Sequence, residues 1–201
     1  IQLAINVVPD GGTVEINPGS FYPGSVLDTG GRAMTIRGSV DADNQPVTLI
    51  GGLDKHRVLQ CLSGEGSDTV FENLTIRWGY HPVNGGGMMI EGSSPTLRNM
   101  IFELCNSDDG GGVQCNNNAS PAFEGCQFIN NTAILADGAM HSTFGSSPVL
   151  TGCTFDGNSA KYGGAMRNAD SSSPTLTGCT FTGNSATIEG GAMANYSDGS
   201  P

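Results

Sequence analysis

Positive charge is scarce in this chain: lysine and arginine together number 8 in 201 residues, against 19 aspartates and glutamates, for a formal net charge of −11. A phosphate backbone is neutralised by many such cations, so nucleic acid is not an expected partner. Charged residues of both signs make up only 13% of the chain, too few for a helical solenoid or a disordered, self-repelling tail. No run of 18 apolar residues occurs, which removes a membrane-spanning helix, and no signal peptide is visible. The 6 cysteines do not settle a redox compartment by number alone.

What the chain does have is glycine, 31 residues of it, and repetition. The segments SPTLRNMIF, SPAFEGCQF, SPVLTGCTF and SPTLTGCTF each precede a Gly-rich stretch, and Ser200-Pro201 opens another. Their prolines stand at 95, 121, 148, 174 and 201, so the period alternates 26, 27, 26, 27. A period of this length marks a solenoid, in which each repeat buries its apolar face only against its neighbours. The chain opens at Ile1 without an initiator Met and stops mid-array, and it reads as one domain, 1–201, cut from a longer chain. Residues 1–68 form an N-terminal cap and irregular opening coils, and 69–201 the regular repeats.

Aligned on the prolines, the repeats separate into columns. Met100, Cys126, Cys153 and Cys179 share one, and Phe102, Phe128, Phe155 and Phe181 share another two residues on. Polar residues alternate with them, the period-two signal of a strand with one buried face. Leu74 and Ile76 continue the two columns backwards. Asn131, Asn158 and Asn184 fall where the first strand ends in a turn, where Asn tolerates the left-handed conformation and stacked amides bond along the array. Val83, Leu135, Tyr162 and Ile188 form a further column, expected to plug the third side of the core.

LTGCTFTGN also fits the leucine-rich pattern, but the return segments are too rich in Gly and Ser for the helical turn of that fold. The expected fold is therefore all-β: a right-handed single-stranded parallel β-helix of about 26 residues per coil, each coil rising roughly 4.8 Å, with a short N-terminal capping helix. Ile1, Ala4, Ile5 and Val8 have the spacing of that helix's buried face.

Two resemblances rest on these residues. The opening IQLAINVVPDGGTVEINPGSFY, followed by AMTIRG, VTLIGG and FENLTIRWG, resembles the first coils of the pectate lyase-like β-helix superfamily. The C-terminal half is similar to the repeats of chlamydial polymorphic outer-membrane proteins, marked by GGA-apolar (Gly163 to Met166, Gly190 to Met193) and F-x-x-N (Phe128/Asn131, Phe155/Asn158, Phe181/Asn184). It departs from that pattern in placing Met after GGA and Asp137 where a Gly is usual. The first resemblance implies a fold shared by lyases, hydrolases and non-catalytic proteins. The second implies a surface adhesin of the autotransporter-passenger kind.

Enzymes of the first group act on polyuronides or other polysaccharides with clustered Asp residues, Ca²⁺ or a basic residue. The chain contains no N-T-D, G-H-G or R-I-K. Its one acidic pair, Asp108-Asp109, is the catalytic candidate; it lies in a coil that carries Cys105 where the others have Asn. Because neighbours on a strand face opposite sides, the two acids act together only in a turn; otherwise they face water. His56, His81 and His141 fall at unrelated columns and read as solvated turn residues rather than as a zinc site. No metal is assigned, although Ca²⁺ is possible from the number of carboxylates and turn carbonyls; the G-G-x-G-x-D repeat of calcium β-rolls is absent.

Trp78 and Tyr80 in RWGYHP are the ligand-binding candidates, a pair of aromatics for stacking on sugar rings, with a core-covering turn as the alternative. Cys126, Cys153 and Cys179 are expected to be a ladder of free thiols, since side chains in register do not reach disulfide geometry. Cys105 and Cys115 are the one plausible bridge. The outward Thr positions are too irregular for an ice-binding array, and sequons stand at Asn73, Asn118, Asn130 and Asn195.

The function expected from all this is non-catalytic: an extracellular or cell-surface β-helix, structural or adhesive. Its partners would be surface glycans or a host cell, or further copies of itself stacked head to tail into a filament. The alternatives are a polysaccharide lyase or hydrolase working through Asp108 and Asp109, and a glycan-binding module.

Overall fold

A computed structural model describes residues 1–201 and shows one solenoid of parallel strands about seven coils long. A full coil runs through four short strands, as in Ala122–Glu124, Gln127–Ile129, Thr132–Ala136 and Met140–Ser142. Strands in equivalent places stack into four sheets, termed first to fourth in that order. The first, second and fourth hold seven strands each and the third holds five. No helix is long and apolar enough to cross a membrane.

The array reaches back to Thr13–Glu15, whose partner Thr35–Arg37 pairs in turn with Val70–Glu72. The third sheet begins only at Tyr80–Asn84, so the two opening coils lack that side. Helix α1 (Gln2–Val7) lies at the head of the array. Ile5 is fully buried, and Ile1 and Val8 pack against the core, as their spacing implied. Ala4 stays exposed.

Inside, the coils stack like on like. Phe102, Phe128, Phe155 and Phe181 form a continuous column, with ring centroids 5.3, 4.6 and 4.7 Å apart and planes within 11°. Each such contact adds about 0.5–1.5 kcal/mol beyond burial. Cys126, Cys153 and Cys179 form the expected thiol column, and all six cysteines are free. Cys105 and Cys115 are both fully buried and unbridged, so the one plausible bridge is not formed. The Met residues after GGA point inward, with Val113, Met140, Met166 and Met193 in register.

The asparagine column is internal. Asn131 Nδ2 donates to Phe102 O at 2.8 Å and to Asn158 Oδ1 at 3.1 Å, and Asn158 repeats this with Phe128 O and Asn184 Oδ1. The amides of Asn131 and Asn158, both fully buried, satisfy the hydrogen-bonding groups of that corner. The left-handed residue is not the ladder Asn but the one before it, Asn130, Gly157 or Gly183. Cys105 tops this ladder, its N–H donating to Asn131 Oδ1, so the coil that departs from the Asn pattern is simply where the ladder ends.

One expectation is overturned. Val83, Leu135 and Ile188 do not plug the core: they are 56%, 46% and 52% exposed, and Tyr162 is half-buried. Their strands carry the cause. In the third sheet Ser107 and Asp109 pair with Ala133 and Ala136, and Ala160 and Tyr162 pair with Ala186 and Glu189. Alternate rungs thus hold one extra residue, a bulge that turns a side chain outward. The same bulge is why the sequence period alternates between 26 and 27.

Candidate functional site

The third and fourth sheets meet at a re-entrant corner, and the local backbone explains it. Gly85, Gly110, Asp137, Gly163 and Gly190 occupy this corner in successive coils, all left-handed, with φ from 54° to 65°. A Cβ on any of the four glycines would stand 2.2–2.7 Å from the carbonyl oxygen three residues on. The corner backbone also presses on the neighbouring sheet: a Cβ at Gly110 would lie 3.2 Å from that of His141. Consequently the fourth sheet's outward column is covered. Met89, Gln114, His141 and Ala194 are buried although they face away from the core, and Arg167 is half-buried among them.

Along this corner opens a cleft of about 630 Å³. Asp109 and Glu189 supply its carboxylates and Arg167 its cation. Tyr162 and Tyr196 present rings at 6.1 Å and 85° to each other, and Leu135 and Ile188, turned out by the bulges, add apolar wall. Arg167 lies over the Tyr196 ring at 4.7 Å, and the Tyr196 hydroxyl donates to Glu189. The guanidinium has no carboxylate ion pair, and its buried Nε has no partner. Burial pushes the Asp109 carboxyl up, Arg167 opposes this and Asp108 adds to it.

Beneath the cleft lies the least conventional residue of the fold. Asp137 takes the glycine place in the corner with φ 63°, is wholly buried, and has no hydrogen-bond partner on either carboxylate oxygen. Left-handed backbone in a residue with a Cβ and an unpartnered buried carboxyl are each unfavourable. Their coincidence is the kind of strain that gathers at functional sites. Burial drives the Asp137 carboxyl well above the usual carboxylate range, with Arg167 opposing and Asp109 reinforcing. His141 Nδ1 stands 3.7 Å from Asp137 Oδ2, and burial, with help from Arg167, lowers His141 to about 4. At that distance the two do not hydrogen-bond, and burial disfavours the charged form of each.

Of the candidates drawn from the sequence, Asp109 lines this cleft while Asp108, also half-buried, does not. Trp78 and Tyr80 do not form one platform. Trp78, left-handed at φ 54°, stacks on Tyr22 at 6.4 Å with the Arg77 guanidinium 5.0 Å from its ring. Tyr80 instead starts a third-sheet strand opposite Asn106. The histidines are not solvated turn residues. His141 is buried, His56 bonds through its ring to Pro23 O and Arg57 O, and half-buried His81 accepts from the N–H groups of Val83 and Asn84. No three His, Cys, Asp or Glu side chains converge as a metal centre would require.

Arg167, Tyr162, Tyr196 and Glu189 were not singled out as site residues from the sequence. Asp137 did carry a signal there, as the one acid in a Gly-Gly-Ala column.

A family model described as a right-handed beta helix region matches residues 54–200, which is most of the chain. No curated protein and no solved structure matches it. These comparisons agree with the pectate lyase-like resemblance at the level of fold and do not confirm the chlamydial one. With its parallel rungs and inward ladders, the chain belongs to the right-handed β-helix family.

Proposed function

We propose that the protein is an extracellular, non-catalytic β-helix that serves as an adhesive surface element by holding a saccharide chain in the cleft between its third and fourth sheets. The observation that carries this reading is the convergence of two tyrosine rings, two carboxylates and one guanidinium in a single open cleft. Aromatic faces pack on the C–H faces of sugar rings, while carboxylates and guanidinium bond to hydroxyls. Rungs roughly 4.8 Å apart repeat at nearly the spacing of rings in an extended hexose chain. Binding to an oligosaccharide panel, followed by calorimetry on Tyr162→Ala and Tyr196→Ala, tests it. Binding that weakens in both variants supports the reading, and no binding to any member of a broad panel rejects it.

Asp109 favours a second reading, a polysaccharide lyase or hydrolase using the same cleft, because it lines the cleft and burial raises its carboxyl, the direction a general acid requires. Turnover of pectin, alginate or neutral polysaccharides that is lost in Asp109→Ala would replace binding by catalysis. Head-to-tail assembly of this chain is the remaining use of the fold. Helix α1 covers one end of the array, and regular filaments in electron micrographs would establish that assembly all the same.

A further inference from the structure

We infer that Arg167 is a latch with two seats: on the Tyr196 ring, where it covers an aromatic face of the cleft, and on the Asp137 carboxylate, where it leaves that face open. The movement stands on its own geometry, and its consequence for sugar binding rests on the saccharide reading.

The first ground is a donor and an acceptor that lack partners in the same place. Arg167 carries a buried Nε–H with no acceptor, and Asp137, wholly buried, has two carboxylate oxygens with no donor. The guanidinium instead lies 4.7 Å from the centroid of the Tyr196 ring, whose hydroxyl is held by Glu189.

The second ground is position. The Asp137 carboxyl is directed toward the coil that carries Arg167, for a Cβ on Gly163 would lie 2.6 Å from Asp137 Oδ1. Arg167 follows Gly163 by four residues, as His141 follows Asp137, and Arg167 and His141 are partners in register. His141 Nδ1 already stands 3.7 Å from Asp137 Oδ2. An arginine side chain is longer than one rung spacing of roughly 4.8 Å, so the carboxyl lies within the sweep of Arg167. The corner backbone is also less tied at this rung. Gly86, Gly111 and Gly164 each donate an N–H to the corner carbonyl of the next coil, whereas Gly138, beside Asp137, makes no such bond.

Protonation selects the seat. Burial holds the Asp137 carboxyl neutral well above the usual carboxylate range, with Arg167 opposing this and Asp109 adding to it. While the acid is neutral, the cation–π contact keeps Arg167 on the ring. Once the acid ionises, a buried carboxylate without a partner is the costlier arrangement, and the guanidinium moves to it. The other facing groups offer no substitute. His141, lowered to about 4 by burial and Arg167, is uncharged in that range, and Asp109 repels rather than pairs. Asp170 acts on His141 and is itself bonded by Thr143, and Glu189 is engaged by Tyr196.

Nuclear magnetic resonance of the free protein between about pH 5 and 9, above ordinary carboxylates and below tyrosine, tests the latch without any sugar. The Arg167 Nε and Cδ protons, shielded by the Tyr196 ring at low pH, should lose that shielding at the midpoint at which the Asp137 carboxyl carbon titrates. Asp137→Asn keeps the shape and suits a left-handed backbone, and it should hold Arg167 on the ring throughout. Asp109→Asn and His141→Gln should retain the transition. Calorimetry with cellohexaose and xylohexaose, which are uncharged so that pH acts on the protein alone, reads the consequence. Affinity should rise about tenfold from one pH unit below the midpoint to one above, as the open fraction goes from about one in eleven to ten in eleven. In Asp137→Asn that rise should vanish. The inference is overturned if the Arg167 protons do not shift, if they shift equally in Asp137→Asn, or if an oligosaccharide binds equally on both sides of the midpoint. A latch that titrates as described in a protein that binds no sugar of a broad panel would keep this inference and reject the saccharide reading. Sugar binding through Tyr162 and Tyr196 with Arg167 fixed would do the reverse.

Discussion

Replacing Asp137 by the glycine of its neighbouring coils should stabilise the protein, an unusual outcome for removing a buried polar group. Two unfavourable contributions disappear in Asp137→Gly. Left-handed backbone in a residue with a Cβ costs about 1–2 kcal/mol, with Asp toward the lower end, and an unpartnered buried carboxyl costs about 1–3 kcal/mol. Against them stands the entropy of a freer unfolded chain, about 0.5–1 kcal/mol. The net expected gain is about 2 kcal/mol. Asp137→Ala, which removes the carboxyl but keeps the Cβ, should gain less.

The gap has a pH dependence of known sign. The folded state raises the Asp137 carboxyl, so the contribution is least harmful below the usual carboxylate range near pH 4, where both states are protonated. Above it the unfolded chain releases its proton first, and wild-type stability falls relative to the variant until the folded carboxyl ionises too. The facing charged groups are Arg167, Asp109 and, at 3.7 Å, His141. Urea unfolding of wild type and both variants at pH 4, 6 and 8 measures all of this. If Asp137→Gly destabilises, or if its advantage shrinks as pH rises, then the carboxylate is ionised against Arg167 and the account of a neutral, strained acid is wrong. A variant that is more stable yet binds no sugar would place Asp137 in function rather than in folding.

His141, lowered to about 4 by burial first and Arg167 second, should contribute a loss of about 3 kcal/mol as pH drops from about 6.5 to 4, opposite in sign to the Asp137 contribution, because the unfolded chain takes up the histidine proton first. His141→Gln should flatten that slope, and an unchanged slope would refute the assignment. Asn158→Leu should cost about 2–4 kcal/mol in urea unfolding, since it orphans both the Phe128 carbonyl and the N–H of Asn131; a loss below about 0.5 kcal/mol would deny the ladder its role. Phe128→Ala, which leaves a gap between Phe102 and Phe155, should cost about 3–5 kcal/mol. Under native conditions Cys105 and Cys115 should resist a thiol reagent and react on denaturation with no prior reduction; a requirement for reductant would mean that they are bridged.

The inward ladders were legible in the residue order because every coil solves one packing problem in one place. Phe at 102, 128, 155 and 181, and Cys at 126, 153 and 179, repeat since each contacts mainly its own kind one rung away. The cleft was less legible, for two reasons seen in particular residues. Leu135 and Ile188 carry the apolar character of a core column, yet a single extra residue per alternate rung turns them to the surface. His141 stands at an outward strand position and is nonetheless buried, because a corner of left-handed glycines brings the adjacent sheet against it.

From its sequence alone, then, this protein's fold, its period and the identity of its internal ladders were determined, since these depend on contacts between identical positions of successive coils. The tertiary structure alone decided which outward residues share a cleft. That depends on where the third and fourth sheets bend toward each other, a property of backbone geometry summed over whole coils. Asp109, Asp137, His141, Arg167 and Tyr196 come from four successive coils, and no spacing along the chain predicts that the corner between two sheets gathers them.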